Sequence, residues 1–477
     1  PENESPVFLF GFLPLVLAMH YLAPTRLKNA VLLFASLLFY TWGETLYVLL
    51  MLVSILANYC FGLAIDHSRQ SRYPRLWLAI GVATNLVLLA AFKYANFLVD
   101  NVNVLLQWAE IPPLVLAPVH LPLGISFFTF QAMSYIIDVY RGQVTAQKKL
   151  THVALYISLF PQLIAGPIVR YHDIARQIVE RHIDSALFIS GVRRFLMGLA
   201  KKLLIANSMG QVATTAFSTS STELGFALAW LGIICYALQI YFDFSGYSDM
   251  AIGLGRMLGF RFQENFNYPY IAASLQDFWR RWHISLSRWF RDYLYIPLGG
   301  NRLGVARTYF NLMLVFFLCG LWHGASWNFV IWGMIHGCFL VLERGLFGDF
   351  LNWLWRPLRH AYTLIVVCFA WVFFRAETLP QAFSYCAALL GMGDTAPVAG
   401  FVERIILKPD ILAALLTAIL LATPVYQWVA FHVVIPRLQR HSGWYFLSQW
   451  AFMYGLAALV FLAVASTTFN PFIYFRF

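Results

Sequence analysis

Two histidines stand in surroundings that suit proton transfer. In Cys319-Gly320-Leu321-Trp322-His323-Gly324-Ala325-Ser326-Trp327-Asn328, a histidine followed by glycine sits where two apolar segments meet. Glycine permits close backbone approach and a helix break, so the imidazole of His323 can face a cavity instead of lipid. The competing reading is a histidine bonded to a carbonyl at a helix end. His283 lies in the stretch from Asp277 to Leu294, with Trp279 and Ser287 one turn away on either side. A neutral imidazole shuttles protons near pH 7, although a lone interfacial histidine is more often structural. Within that stretch Phe278, Trp282, Leu286, Trp289 and Tyr293 share one face at helical spacing, while Arg281, Arg288 and Asp292 point elsewhere. Two roles stand for this amphipathic segment: an interfacial anchor with tryptophans at headgroup depth, or a cytoplasmic-face helix whose Arg281, Arg288 and Arg291 meet the phosphates of an anionic cofactor.

His336 follows His323 by thirteen residues, a rise of roughly 20 Å if one helix joins them, so those two cannot share a site on a continuous helix. His283 and His323 sit on different elements and can converge. Cys319 and His323 are spaced i, i+4, but no second Cys/His pair and no HExxH motif accompanies them, and no metal site is expected. Asp243 and Asp249, in Tyr241-Phe242-Asp243-Phe244-Ser245-Gly246-Tyr247-Ser248-Asp249-Met250, flank a Ser-Gly pair that reads as a break after an apolar span. They are expected to cap the next helix, pair with nearby arginines and help shape the entrance to a site. Gly166-Pro167 reads as another break near the membrane.

The elements that must position these groups are membrane helices. Of 477 residues, 60% are hydrophobic and 12% charged, and mean hydropathy is +0.67. The apolar residues come in long blocks, each able to cross a hydrocarbon core of roughly 30 Å with about 20 residues. Segments near 8–22, 30–42, 46–65, 76–98, 121–138, 186–206, 225–243, 309–322, 326–345, 361–375, 381–393, 410–430 and 446–466 are candidates. Allowing for short and re-entrant pieces, about eleven full spans are expected. The interval 244–308 is too basic to cross and reads as a cytoplasmic or re-entrant segment. No fixed-period repeat or linker appears, so residues 1–477 are expected to form a single all-α membrane domain.

The formal charge of +11 comes from basic residues between apolar blocks, which fits the positive-inside rule and attraction to anionic lipids rather than nucleic acid. Thr25 to Lys28, Asp66 to Arg75 and Arg141 to Lys149 are basic, whereas Asp100 to His120 has no Lys or Arg. This alternation puts the N-terminus on the periplasmic side. The first apolar block, Pro6 to Tyr21, lacks a positively charged leader and reads as a retained helix. The six cysteines have no CxxC spacing, read as small buried packing residues, and suggest no obligatory disulfide.

Taken together, the motifs resemble those of the membrane-bound O-acyltransferase family, most closely its bacterial alginate O-acetyltransferase branch. The stretches that carry the resemblance include Phe92-Lys93-Tyr94-Ala95-Asn96-Phe97, Leu123-Gly124-Ile125-Ser126-Phe127, Ser134 to Gly142, Leu163 to Pro167, Tyr241 to Gly253, Phe278 to Ser287, Leu298 to Arg302, Gly320 to Gly324 and the ending Asn470 to Phe477. The resemblance implies a wall of helices, with interfacial and re-entrant pieces, around a central tunnel. It implies that His323 is the catalytic histidine and that His283 is the second functional histidine. Asn311 stands where family members have an asparagine; it is grouped with Asp243, Asp249, Trp282 and Trp322 as structural or tunnel residues.

The implied activity is O-acetyl transfer from cytosolic acetyl-CoA, with no permanently bound cofactor, across the bacterial inner membrane. The implied recipient is a periplasmic or membrane-anchored SGNH-hydrolase-like relay protein working with a polysaccharide synthesis complex. Alginate is the leading polymer, with cellulose or another exopolysaccharide and D-alanyl transfer to teichoic acid as alternatives. A transporter of polysaccharide or small anions is the rival from a different class, since broken helices and buried polar groups also mark transport sites.

Overall fold

The computed structural model describes residues 5–392, 408–436 and 442–466; the resembling stretch 470–477 lies outside them. Among the described residues there is no strand. Among those residues, six helices are long and apolar enough to cross a membrane, or up to eight if each of two bent pairs counts as one span. The figure of about eleven also takes in apolar helices that are short on their own, such as Lys28–Glu44 and Ile125–Tyr140. The helical contacts separate into two compact units, residues 1–192, 251–263 and 324–326 in one and the remainder in the other.

The first unit begins with α1 (Leu13–Leu22), α2 (Lys28–Glu44) and α3 (Tyr47–His67), then α4 (Pro74–Leu89), which continues through a π turn into α5 (Ala95–Trp108). Its centre is α6 (Ile125–Tyr140), with nearly every side chain from Ile125 to Val139 buried. Three polar residues of α6 and its neighbour α7 (Leu150–Ser158) fix the irregular chain that follows Gly166-Pro167. Ser134 Oγ accepts from the Tyr171 amide at 3.3 Å, and the Tyr156 hydroxyl donates to the Val169 carbonyl at 2.7 Å. Asp138, fully buried, accepts from both the His172 amide at 3.1 Å and His172 Nδ1 at 2.8 Å. The resembling residues Ser134 to Gly142 therefore act here as a clamp on the chain beyond the break.

The hydrogen bond to Asp138, reinforced by Asp173, raises the pKa of His172 from its ordinary 6.5 to about 9. A folded-state value above the unfolded one means that the ion pair stabilises fully below pH 6.5 and fades as pH rises through 9. Thermal unfolding of the detergent-solubilised wild type is expected to lose stability between pH 6.5 and 9.5, and H172Q to lack that component. Identical pH profiles for the two proteins would contradict the assignment.

The second unit is built on three helix pairs. The first brings α10 (Ser185–Ala200), after the short helices α8 (Phe160–Leu163) and α9 (Tyr171–Val179), against α12 (Phe226–Met257). A Cβ on Gly198 would meet the Gly246 carbonyl, and one on Gly246 would meet the Gly198 carbonyl. This close crossing brings opposite charges into register. Lys202 Nζ reaches Asp243 Oδ1 at 2.6 Å with both side chains almost fully buried, and Asp249 takes both Lys201 at 2.6 Å and Arg194 at 2.7 Å. The expected Ser-Gly break is absent, because α12 runs unbroken from Phe226 to Met257. Gly246 is there for the approach of α10 rather than to end a helix. Asp249 pairs with an arginine, as expected, whereas the buried partner of Asp243 is Lys202, and neither carboxylate caps a new helix.

The second pair is the hairpin of α15 (Val305–His323) and α16 (Trp327–Arg344), which follows α11 (Asn207–Ser218), α13 (Leu275–Arg281) and α14 (Ile284–Phe290) in the chain. Gly320 and Gly333 face each other's helices so closely that a Cβ on either would strike a backbone carbonyl, Phe329 O or Phe316 O. The chain breaks after His323, as the glycine pattern suggested. The third pair sets α18 (Arg356–Arg375), beyond α17 (Leu346–Trp353), against α16. All six cysteines are free thiols; Cys60 and Cys338 are exposed on helix surfaces, contrary to the expectation that all are buried.

Candidate active site

His323 ends α15 and is 2% exposed. The hairpin turn places Trp332 of α16 edge-on to its ring, centroids 4.9 Å apart, and Phe374 of α18 closes another side at 5.3 Å. His283 approaches from a separate element, with ring centroids 6.4 Å apart, and Trp322 lies 6.0 Å from His283 and 5.0 Å from His323. The convergence expected from two separate elements is therefore present. The centroid spacing is too long for a direct imidazole–imidazole hydrogen bond.

The local backbone explains how His283 gets there. The expected single amphipathic helix over 277–294 is instead two short helices, α13 and α14, joined by an extended Trp282 and by His283 in the left-handed region at φ 43° and ψ 55°. A β-carbon-bearing residue pays on the order of 1–3 kcal/mol for that conformation, so the surroundings must hold it. They do so through Asn265. Its carbonyl accepts from the Ile284 amide at 2.9 Å, and its Oδ1 accepts from the Ser285 amide at 3.1 Å and hydroxyl at 2.9 Å. Its Nδ2 in turn donates to Ser248 Oγ on α12 at 3.0 Å. The apolar face read from the sequence is buried as a set: Phe278, Trp282, Leu286, Trp289 and Tyr293 are each at most 8% exposed. It packs into protein rather than lying bare for lipid, with Trp282 5.0 Å from Trp371 and 5.7 Å from Phe278.

His283 is fully buried, and burial pushes its pKa from 6.5 to about 3. At physiological pH it is a neutral imidazole, able to hold a proton on one nitrogen and accept on the other.

Beside the two histidines lies a cavity of about 200 Å³. Its inner wall is Trp279, Leu286, Val315, Phe316 and Cys319, all nearly buried, and its outer rim carries Gln276, Arg291, Glu343 and Arg344. Cys319 stands one helical turn before His323, roughly 6 Å along the axis. Neither His323 nor His283 lines the cavity itself; Cys319 and Ser287, one turn from each, do.

The other expected residues divide by position. Of the three arginines, Arg291 reaches the cavity while also pairing with Asp292 at 2.7 Å. Arg281 is tied to Asp277 at 2.9 Å and to the Asn267 carbonyl, and Arg288 is exposed away from the cavity lining. Asn311 is fully buried and donates to the carbonyls of Leu298 and Gly300, holding the turn at Leu298 to Gly300. It is a structural residue. His336 is separated from His323 by the helix break and by Trp332, which stands 4.9 Å from one ring and 5.0 Å from the other.

Sequence reasoning missed Glu343 and Arg344. Glu343 accepts from the amides of Leu275 and Gln276, at 2.6 and 3.1 Å, and from the Tyr362 hydroxyl at 3.1 Å, so one carboxylate joins the start of α13 to α16 and α18. The signal was available: an acid and a base at the end of an apolar helix are unusual enough to warrant a role.

The sequence profile of the membrane-bound O-acyltransferase family matches residues 146–379, a stretch that holds both histidines and the entire cavity lining. Probable alginate O-acetylase AlgI of Azotobacter vinelandii is 47% identical over 392 residues, 82% of this chain and 78% of the relative. The chain belongs to the membrane-bound O-acyltransferase family. As a member of that family it is a polytopic acyltransferase. The peptidoglycan O-acetyltransferase of Helicobacter pylori is 34% identical and aligns across 99% of this chain and 97% of its own. The teichoic acid D-alanyltransferase of Bacillus subtilis is 30% identical over 53% of this chain and 67% of the relative. These membrane-bound O-acyltransferase relatives differ in acyl group and polymer.

Proposed function

We propose that this protein transfers an acetyl group from cytosolic acetyl-CoA across the bacterial inner membrane, to serve O-acetylation of an exopolysaccharide, with alginate the foremost polymer. The observation that carries the reading is the meeting of His283 and His323 in an aromatic enclosure beside a cavity with arginines at its rim. Arg291 and Arg344 give that rim the charge and fork geometry suited to the phosphates of CoA, and the apolar interior suits the thioester arm. Abundant arginine between 280 and 307 supports a cytoplasmic location for this segment under the positive-inside rule, and the same rule supports a periplasmic N-terminus.

In the reaction, His323 acts as general base. An acceptor hydroxyl gives its proton to the imidazole, its oxygen forms a bond to the acetyl carbonyl carbon, and the carbon–sulfur bond breaks. The CoA thiolate then takes the proton back from His323. His283, neutral in its buried site, is placed to hold the reacting oxygen in line. The immediate acceptor on this reading is an SGNH-hydrolase-like relay protein at the periplasmic face, which passes acetyl to the polymer within its synthesis complex.

A second acceptor polymer, peptidoglycan, is favoured by the Helicobacter relative, whose alignment extends over nearly the whole chain. Native membranes that hold this protein together with its relay protein and synthesis complex, supplied with radiolabelled acetyl-CoA and, in separate reactions, polymannuronate or isolated peptidoglycan sacculi, test the assignment. Label in polymannuronate is the expected result, and label in sacculi alone selects the second polymer. Failure of the membranes to release CoA from acetyl-CoA with any acceptor overturns the donor.

A further inference from the structure

His336 has no part in the mechanism above, yet it is fully buried and its hydrogen bonding is specific. Its Nδ1 accepts from Trp279 Nε1 at 3.1 Å. An Nδ1 that accepts leaves the proton on Nε2, so the ring is a neutral tautomer whose role toward Trp279 is to orient the indole. The indole is held on three further sides. Its centroid is 5.0 Å from Phe316, 5.8 Å from Trp332 and 5.9 Å from Phe278, with His336 itself at 5.2 Å, each at a steep interplanar angle. Four aromatic contacts and one hydrogen bond are more than a wall residue needs merely to fill space.

What Trp279 borders gives the arrangement its meaning. On one side it lines the cavity with the arginine rim. On the other stands Trp332, which is itself in edge contact with His323. The ring contacts thus run from the cavity through Trp279 and Trp332 to His323.

We propose that Trp279, fixed by His336, is the partition that sets the size of acyl group this enzyme delivers to His323, admitting acetyl and excluding longer chains. Trp279 is the specificity-determining residue, and His336 is the positioning residue that keeps its ring from turning aside. The inference rests on the acyl-CoA donor proposed above and deepens it. Removing an indole opens a volume that several methylenes can occupy, and burying them there favours the longer substrate. Discrimination in such pockets is typically about 10–200-fold per small group, so relaxation is expected on that scale.

The test uses the full chain in vesicles with acetyl-, propionyl- and butyryl-CoA, measuring the ratio of butyryl to acetyl turnover. W279A is expected to raise that ratio at least about tenfold. W279F, which keeps most of the ring but cannot donate to His336, and H336L, which cannot accept, are expected to raise it by less. H336Q retains an acceptor in reach of the indole nitrogen and is expected to keep the ratio near the wild-type value. Should W279A fail to fold, the contrast between H336L and H336Q carries the test. Unchanged ratios in folded, active W279F and H336L, or loss of all transfer in every folded variant, overturn the proposal. Wild-type protein that uses no acyl-CoA at all instead defeats the donor assignment on which it rests, so the two failures are separable.

Discussion

H323A is expected to fold and insert normally while losing acetyl transfer by about 100–10,000-fold, the range typical of removing a positioned general base. Normal folding is expected because the ring's edge contacts with Trp332 and Phe374 lie between helices that pack closely along their length. Its loss leaves a small void in a hairpin already locked by the close approach at Gly320 and Gly333. H283A should also lower transfer. Its effect should be mixed, because residue 283 carries the left-handed backbone that orients α14. H283N separates the two roles, since asparagine tolerates that conformation better than most residues and cannot shuttle a proton at neutral pH. Folded H283N with low activity assigns the role to the imidazole; wild-type activity in H283N assigns it to the backbone turn.

The largest effect on stability is expected from the Lys202–Asp243 pair. Both side chains are nearly inaccessible, at 2% and 3% exposure, and their atoms are 2.6 Å apart. Removing one partner strands the other charge in a low-dielectric interior, which costs about 3–5 kcal/mol. D243A should therefore unfold at markedly lower temperature or denaturant than wild type in the same detergent. The double variant K202M/D243L, which removes both charges, should recover most of that loss. If D243A is as stable as wild type, the pair does not secure the crossing of α10 and α12. Asp249 offers a built-in comparison: its partners Lys201 and Arg194 are about a quarter exposed, so D249A should cost less.

Much of this arrangement was legible in the sequence, and the failures have physical causes. The break at His323 was readable because glycine beside a histidine between two apolar runs has few other uses. That His283 and His323 could approach was readable from their being on different elements; that they do so depends on packing. The continuity of α12 was not readable, since a glycine that ends a helix and a glycine that lets another helix approach look the same in one dimension. Gly246 is of the second kind, and its partner, Gly198, is almost fifty residues away. Likewise, helical spacing described the apolar face of 277–294 correctly but not the turn at His283, which depends on Asn265 in a separate segment. Charge counting exposed a basic interval, yet it could not say that Arg281 is spent on Asp277 while Arg344, from another helix, joins Arg291 at the cavity rim. Pairings of this kind belong to tertiary packing.

The central claim is that an acetyl group crosses the bilayer by way of His323. Sealed vesicles of one protein orientation, with labelled acetyl-CoA confined to the side of the arginine rim and a hydroxyl acceptor protein confined to the other, measure it directly. The account predicts label on the acceptor across the membrane with wild-type protein and only background with H323A. Equal transfer by the two proteins, or label recovered solely on the donor side, would contradict it.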